Sequence, residues 1–123
     1  MIVCVCGSRG ITSKPLVFGA IDAFWGEHQD AKPLPIHRVL HGACPNSPDM
    51  LAQEWAWANQ IEEQAFPADW SLGRKAGPIR NQAMIREAEA LIAIWDGKSR
   101  GTDDAIRRAR AAGIPVVVVS SKT

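Results

Sequence analysis

The chain has 123 residues, a formal net charge of +1, 46% hydrophobic and 22% charged residues. That balance excludes a disordered polyampholyte and a broad polyanion-binding surface, and leaves room for a local basic pocket. At this length one domain over residues 1–123 is the expectation.

The first segment, "MIVCVCGSRG", has neither the basic start nor the small-residue cleavage site of a signal peptide, and no apolar run reaches the length of a membrane span. Residues 2–6, "IVCVC", read as a short buried strand that ends at Gly7. An odd cysteine count, with Cys4 and Cys6 inside that strand, argues against a disulfide framework and for a reducing, cytoplasmic setting. "GSRGITS" follows as a loop. Residues 14–28 place Leu16, Val17, Ala20, Ile21, Phe24 and Trp25 on one helical face. After the Pro-rich connector "QDAKPLP", "IHRVLHG" forms the second strand.

"ACPNSPDM" is a loop running into a helix start, with Ser47 as N-cap and Pro48 at the first helical position. In the helix over 49–60, Leu51, Trp55 and Ala58 make one stripe, and Met50 and Trp57 make a second that the core need not use. "IEEQAF" is a weaker, edge-like strand, and "PADWSLGRKAGP" a long loop. The spacing predicts a helix over 79–88, with Arg80 and Asn81 in its first turn. "ALIAIWDG" is a strong strand. "KSRGTDDAIRRARAAG" is a loop and helix that stop at Gly113. "IPVVVV", apolar throughout, is expected to be buried on both faces.

Strands alternating with helices indicate an α/β domain, a Rossmann-like three-layer α/β/α arrangement with a mostly parallel five-stranded sheet of order 3-2-1-4-5. Ligands bind beyond the carboxyl ends of strands where such an order reverses, here between the first and fourth strands. Three loops converge there: "GSRG", "HGACPNSPD" and "DGKSRGT".

Each loop carries phosphate or sugar chemistry. Gly7 and Gly10 let backbone approach a ligand, Ser8 offers a hydroxyl, and Arg9 can grip a phosphate with two N–H groups. The alternative is a plain turn with a solvated arginine. Gly101 and Thr102 lie where the last helix begins, so backbone dipoles would seat a phosphate there. Thr102 also suits an N-cap, and Asp103 and Asp104 complement the dipole, pointing sideways from any anion. Gly42 and Ser47 line the second loop. Asp49 either complements its own helix dipole or accepts hydrogen bonds from ribose hydroxyls. Trp70 either stacks on a base, with Arg74 and Lys75 adding charge, or pins its loop to the core. Arg80 and Asn81 are placed to contact phosphate or ribose.

No metal or other cofactor is expected. Cys-x-Cys within a strand buries both thiols, and His41 with Cys44 is a poor zinc spacing. No Ser/His/Asp arrangement has usable spacing, and His28 and His37 sit at element ends. Five Trp without a single Tyr suggest an apolar interface as well as a core.

Taken in order, "HGACPNSPDMLAQEWA", "FPADW", "GRKAGPIRNQAM" and "DGKSRGTDDAI" after a glycine loop resemble the SLOG superfamily, in its small single-domain YpsA-related branch. The resemblance runs from Ile2 to about Val119. It implies a Rossmann-like domain that binds nucleotides or nucleotide-derived ligands, usually as an oligomer. Related lysine-decarboxylase-like proteins are phosphoribohydrolases that cleave the N-glycosidic bond of a nucleoside monophosphate. They use an Arg in an R-x-x-x-M helix and a Glu after G-x-G-T. Arg80 and Met84 match the first pattern, whereas Ala105 stands at the Glu position of the second.

A carboxylate near the sugar stabilises the cationic character that develops as a glycosidic bond breaks. Without it a site binds well and hydrolyses poorly. The leading expectation is therefore binding of a nucleotide-derived small molecule by a sensor or sequestering domain, in a homo-oligomer (dimer or tetramer) built on the Met50–Trp57 stripe. No nucleic-acid polymer or membrane partner is expected. An alternative is an N-glycosidase acting on a nucleoside monophosphate or an ADP-ribose-like compound, with Arg80, Asp49 and Asp104 as catalytic candidates. A second alternative is a protein-interaction module with a relic pocket.

Overall fold

A computed structural model describes residues 1–121. The chain runs β1 (Ile2–Gly7), α1 (Lys14–Glu27), β2 (Arg38–His41), α2 (Pro48–Ala58), β3 (Glu62–Ala65), a 3₁₀ segment (Trp70–Lys75), α3 (Ala76–Glu87), β4 (Ala90–Trp95), α4 (Arg100–Ala111) and β5 (Val116–Ser120). All strand pairs are parallel and the sheet order is β3-β2-β1-β4-β5. This is the Rossmann-like architecture that the alternating pattern predicts.

Period-two alternation in β1 divides the core between two faces. Val3 and Val5 pack with Val17, Ile21 and Phe24 of α1 and with Trp55 of α2. Cys4 and Cys6 point the other way, with Met84 and Ile85 of α3 and Ile106 of α4. Helices α1 and α2 thus cover one face, and α3 and α4 the other. No helix among the described residues is long and apolar enough to cross a membrane.

Several local expectations hold. Ser47 caps α2 by accepting from Asp49 N, and Pro48 opens that helix. Gly113 takes a left-handed φ of 76° just past α4. Others need correction. Strand β5 is an edge strand paired only with β4, so one side is partly open and Val118 is 40% exposed. Val117 and Val119 pack against one core cluster and Val116 against the other, so both faces are covered in part and neither fully. The buried face of α2 is Ala52, Trp55 and Ala56, while Ala58 is exposed. Residues 70–75 are not irregular. Asp69 caps them by accepting from Ser71 N, and Gly73 takes the positive φ of 69° that kinks them. This winding lets α3 begin at Ala76, so Arg80 and Asn81 lie in its second turn. Helix α4 begins at Arg100 with Ser99 as its cap, not Thr102.

Candidate functional site

Beyond the paired ends of β1 and β4, where Gly7 stands beside Ile94, the following loops part to opposite faces of the sheet. A cavity of about 880 Å³ opens at this edge. It lies within the size range of small-molecule sites. It is lined from five directions: the end of β1, the β2–α2 loop with the start of α2, the 3₁₀ segment, the N-terminal part of α3, and the start of α4.

Of the candidate residues, Gly7, Arg9, Gly42, Asp49, Trp70, Arg80, Asn81, Gly101, Thr102 and Asp104 lie on its lining. Ser8 and Ser47 do not. Ser8 is buried, and its Oγ accepts from Asp96 N at 3.1 Å, tying the β1 loop to the β4 loop. Ser47 Oγ is spent on Asp49 N and on the Cys44 carbonyl. Both hold loops in place, which a buried hydroxyl among backbone groups does well.

Arg80 spans the cavity. Its Nη1 donates to Gly42 O at 2.8 Å and, at 3.5 Å, to Phe66 O, while Nε donates to Asn81 Oδ1 at 2.9 Å. Asn81 in turn donates through Nδ2 to Gly101 O and to Asp104 Oδ2. One hydrogen-bonded chain therefore joins the β2 end to the α4 start through α3. It fixes the guanidinium, and Nη2 donates no hydrogen bond to the described residues. A fixed guanidinium with an open edge is suited to grip an oxyanion.

Asp49 sits at the cavity floor, 4% exposed. Gly42 N and Cys44 N both donate to its Oδ2, at 3.1 and 3.3 Å. Ala43 between them adopts a left-handed φ of 56°, which turns both N–H groups onto one oxygen. The fully buried His41 supports this turn. Its Nδ1 accepts from Ala43 N at 3.1 Å, so the ring proton is on Nε2, which donates to Glu63 Oε2 at 2.6 Å. Burial pushes the Asp49 carboxyl above its ordinary pKa, against the opposing pull of the Cys44 N–H and Arg80.

Asp104 behaves in the opposite way. Burial pushes it up, but hydrogen bonds from Arg108 and Asn81 prevail and hold its carboxyl below the usual range. Asp103 faces away, paired with Arg107 at 3.1 Å. Burial, above all, pushes the Cys4 and Cys6 thiols well up, so both are protonated and neither is a nucleophile, although Cys6 lines the cavity.

At the mouth stand three exposed guanidiniums, Arg9, Arg74 and Arg100. Arg100 is missing from the sequence-based candidates because placing the helix start at Thr102 leaves it in a loop. The "Ser99-x-x-Thr102" capping spacing is the signal that would have put it at the first helical position. Trp70 is 64% exposed, so it does not pin its loop to the core.

The description "YspA, cpYpsA-related SLOG family" matches residues 1–73, which carry Gly7, Arg9, Gly42, Asp49 and Trp70. The Gene 61 protein of Mycobacterium phage D29 is 37% identical over 91 residues, spanning 68% of this chain and 72% of that protein. With the Rossmann-like sheet and this match over more than half its length, the chain belongs to the YspA, cpYpsA-related SLOG family.

Proposed function

We propose that this protein binds a phosphorylated, nucleoside-derived small molecule at the carboxyl edge of its sheet, as a sensor or sequestering domain. Its family points to nucleotide-related ligand binding or glycosidase-like chemistry. The observation that carries the reading is the fixed guanidinium of Arg80 with its open edge, in a cavity also lined by Gly101 and Thr102 of the α4 N-terminus. Arg9, Arg74 and Arg100 at the mouth would draw an anion inward. Trp70 offers an aromatic face at the same mouth.

Calorimetry with nucleoside 5′-monophosphates and their parent nucleosides tests this. The monophosphates are expected to bind and the nucleosides to bind far more weakly. The change Arg80→Ala should remove roughly 1.5–3 kcal/mol from the monophosphate alone. Equal losses for both ligands would refute the phosphate role of Arg80.

A second reading, N-glycosidic hydrolysis, is favoured by one observation: two carboxyl groups, Asp49 and Asp104, line the same cavity. Ala105, at the position where the related hydrolases carry Glu, is buried in α4. Release of free base from a nucleotide panel would support hydrolysis, and no release on prolonged incubation would count against it.

A further inference from the structure

Asp49 lies at the cavity floor, and its two oxygens are used unequally. Oδ2 takes both backbone N–H groups, and Oδ1 takes no hydrogen bond from the described residues. The side chain is nine-tenths buried and lines the cavity. Oδ1 is thus an acceptor left open to the cavity, and a ligand that supplies a donor there gains a hydrogen bond to a carboxyl oxygen.

The kind of donor follows from the neighbours. A methyl placed on Gly42 would overlap Arg80 Nη1 and stand 2.9 Å from Asp49 Oδ2, so the carboxyl and the guanidinium flank the same glycine. A phosphate on Arg80 cannot also face Asp49, because like charges at close range repel. The carboxyl must meet a neutral donor covalently close to the phosphate. In a nucleotide that is the sugar, whereas the amino groups of the base lie on the sugar's far side.

We infer that Asp49 reads the sugar hydroxyls and that the site selects ribonucleotides over deoxyribonucleotides. This rests on the phosphate-binding reading above. The strained turn at Ala43 and the His41–Glu63 pair beneath it serve to hold Oδ2 and present Oδ1. Acidic residues perform the same task beyond the second strand of other dinucleotide-binding sheets, reached there from a different chain position.

The test is calorimetry of the four ribonucleoside 5′-monophosphates against their 2′-deoxy and 3′-deoxy counterparts, with inorganic phosphate as the reference anion. At least one deoxy series should bind about tenfold more weakly to the wild type. Asp49→Ala should abolish that difference while leaving phosphate affinity equal or higher. Should Asp49→Ala fail to melt cooperatively, Asp49→Asn keeps an acceptor for Gly42 N and Cys44 N and should reduce the preference severalfold. Equal affinity for ribo- and deoxyribonucleotides in the wild type overturns the inference and leaves the phosphate site standing. Undiminished preference in a folded Asp49 variant also overturns it. Failure of every monophosphate to bind refutes the phosphate site itself, and this inference with it.

Discussion

The Arg80 guanidinium donates through Nη1 to the carbonyl of Gly42 at 2.8 Å, across 38 positions of sequence. The contact is possible because residue 42 has no side chain: a Cβ there would overlap Nη1 and approach Cζ to 2.8 Å. The obstructing group is the far end of a flexible chain, so Arg80 would yield rather than the backbone. Gly42→Ala is therefore expected to fold, at a cost of about 1–3 kcal/mol. It should lose nucleoside monophosphate binding about tenfold or more. Urea denaturation and calorimetry on the same preparation check both halves.

Gly7 and Gly101 both line the cavity but answer to different constraints. A Cβ on Gly7 would meet Pro48 Cγ and lie 2.6 Å from the Ile94 carbonyl oxygen, a strand backbone that cannot withdraw. Gly7→Ala should destabilise by about 1–3 kcal/mol or more. A Cβ on Gly101 meets nothing within 4 Å. Gly101→Ala should leave stability unchanged or raise it by up to about 1 kcal/mol, through helix propensity. A new methyl in the space beside the α4 N-terminus should still weaken binding. A large stability loss at Gly101 would contradict the open space seen there.

These glycines show what the sequence discloses and what it withholds. The sheet order is legible because apolar strands alternate with helices of 3.6-residue period, and parallel crossovers leave few arrangements. The rim residues are legible for the same reason: the switch point specifies which loops meet. Side-chain economy is not legible. Nothing local tells that Ser8 is consumed by Asp96 N, because that partner, 88 positions away, is set by tertiary packing. Ser47 turns back to Cys44 three positions earlier, a local loop bond that competes with ligand contact. Helix starts fail where a 3₁₀ turn feeds directly into a helix, as Trp70–Lys75 does into α3, and where two residues compete as cap, as Ser99 and Thr102 do. Strand β5 misleads because a valine run says how apolar a strand is and not how many neighbours it has.

Apart from Trp70 at the cavity mouth, the tryptophans divide into two groups. Trp55 is buried beside Trp25, with its Nε1 donating to Asp22, and Trp95 Nε1 donates to the Ser99 carbonyl. Trp57, in contrast, is 60% exposed on α2, seven positions from the half-buried Met50 and so on the same side of the helix. We expect this face to pack against a second copy of the chain. Light scattering over a concentration series should show self-association, and Trp57→Glu should abolish it while leaving the melting temperature of the monomer within a few degrees. A wild-type monomer at high concentration would refute the proposal.

The two cavity carboxyls predict opposite responses to pH. The carboxyl of Asp104 is held below its ordinary value of 3.8, so it stabilises the fold above that pH, and the contribution is lost as pH falls through the lowered folded value. Asp49 is raised above 3.8, so the folded chain holds that proton more tightly than the unfolded one. Stability then declines as pH rises from 3.8 through the raised value, and stays lowered above it. Asp104→Asn should melt below the wild type at neutral pH, with the gap closing in acid. Asp49→Asn removes the ionisation penalty and keeps an acceptor for Gly42 N and Cys44 N. It should melt at or above the wild type at neutral pH, and that gap too should close in acid. Thermal unfolding of the three proteins between about pH 3 and 8 reads both signs in one experiment. A neutral-pH loss in Asp49→Asn as large as that in Asp104→Asn would show that the Asp49 carboxylate stabilises the fold, and that its burial is not a cost borne for the ligand.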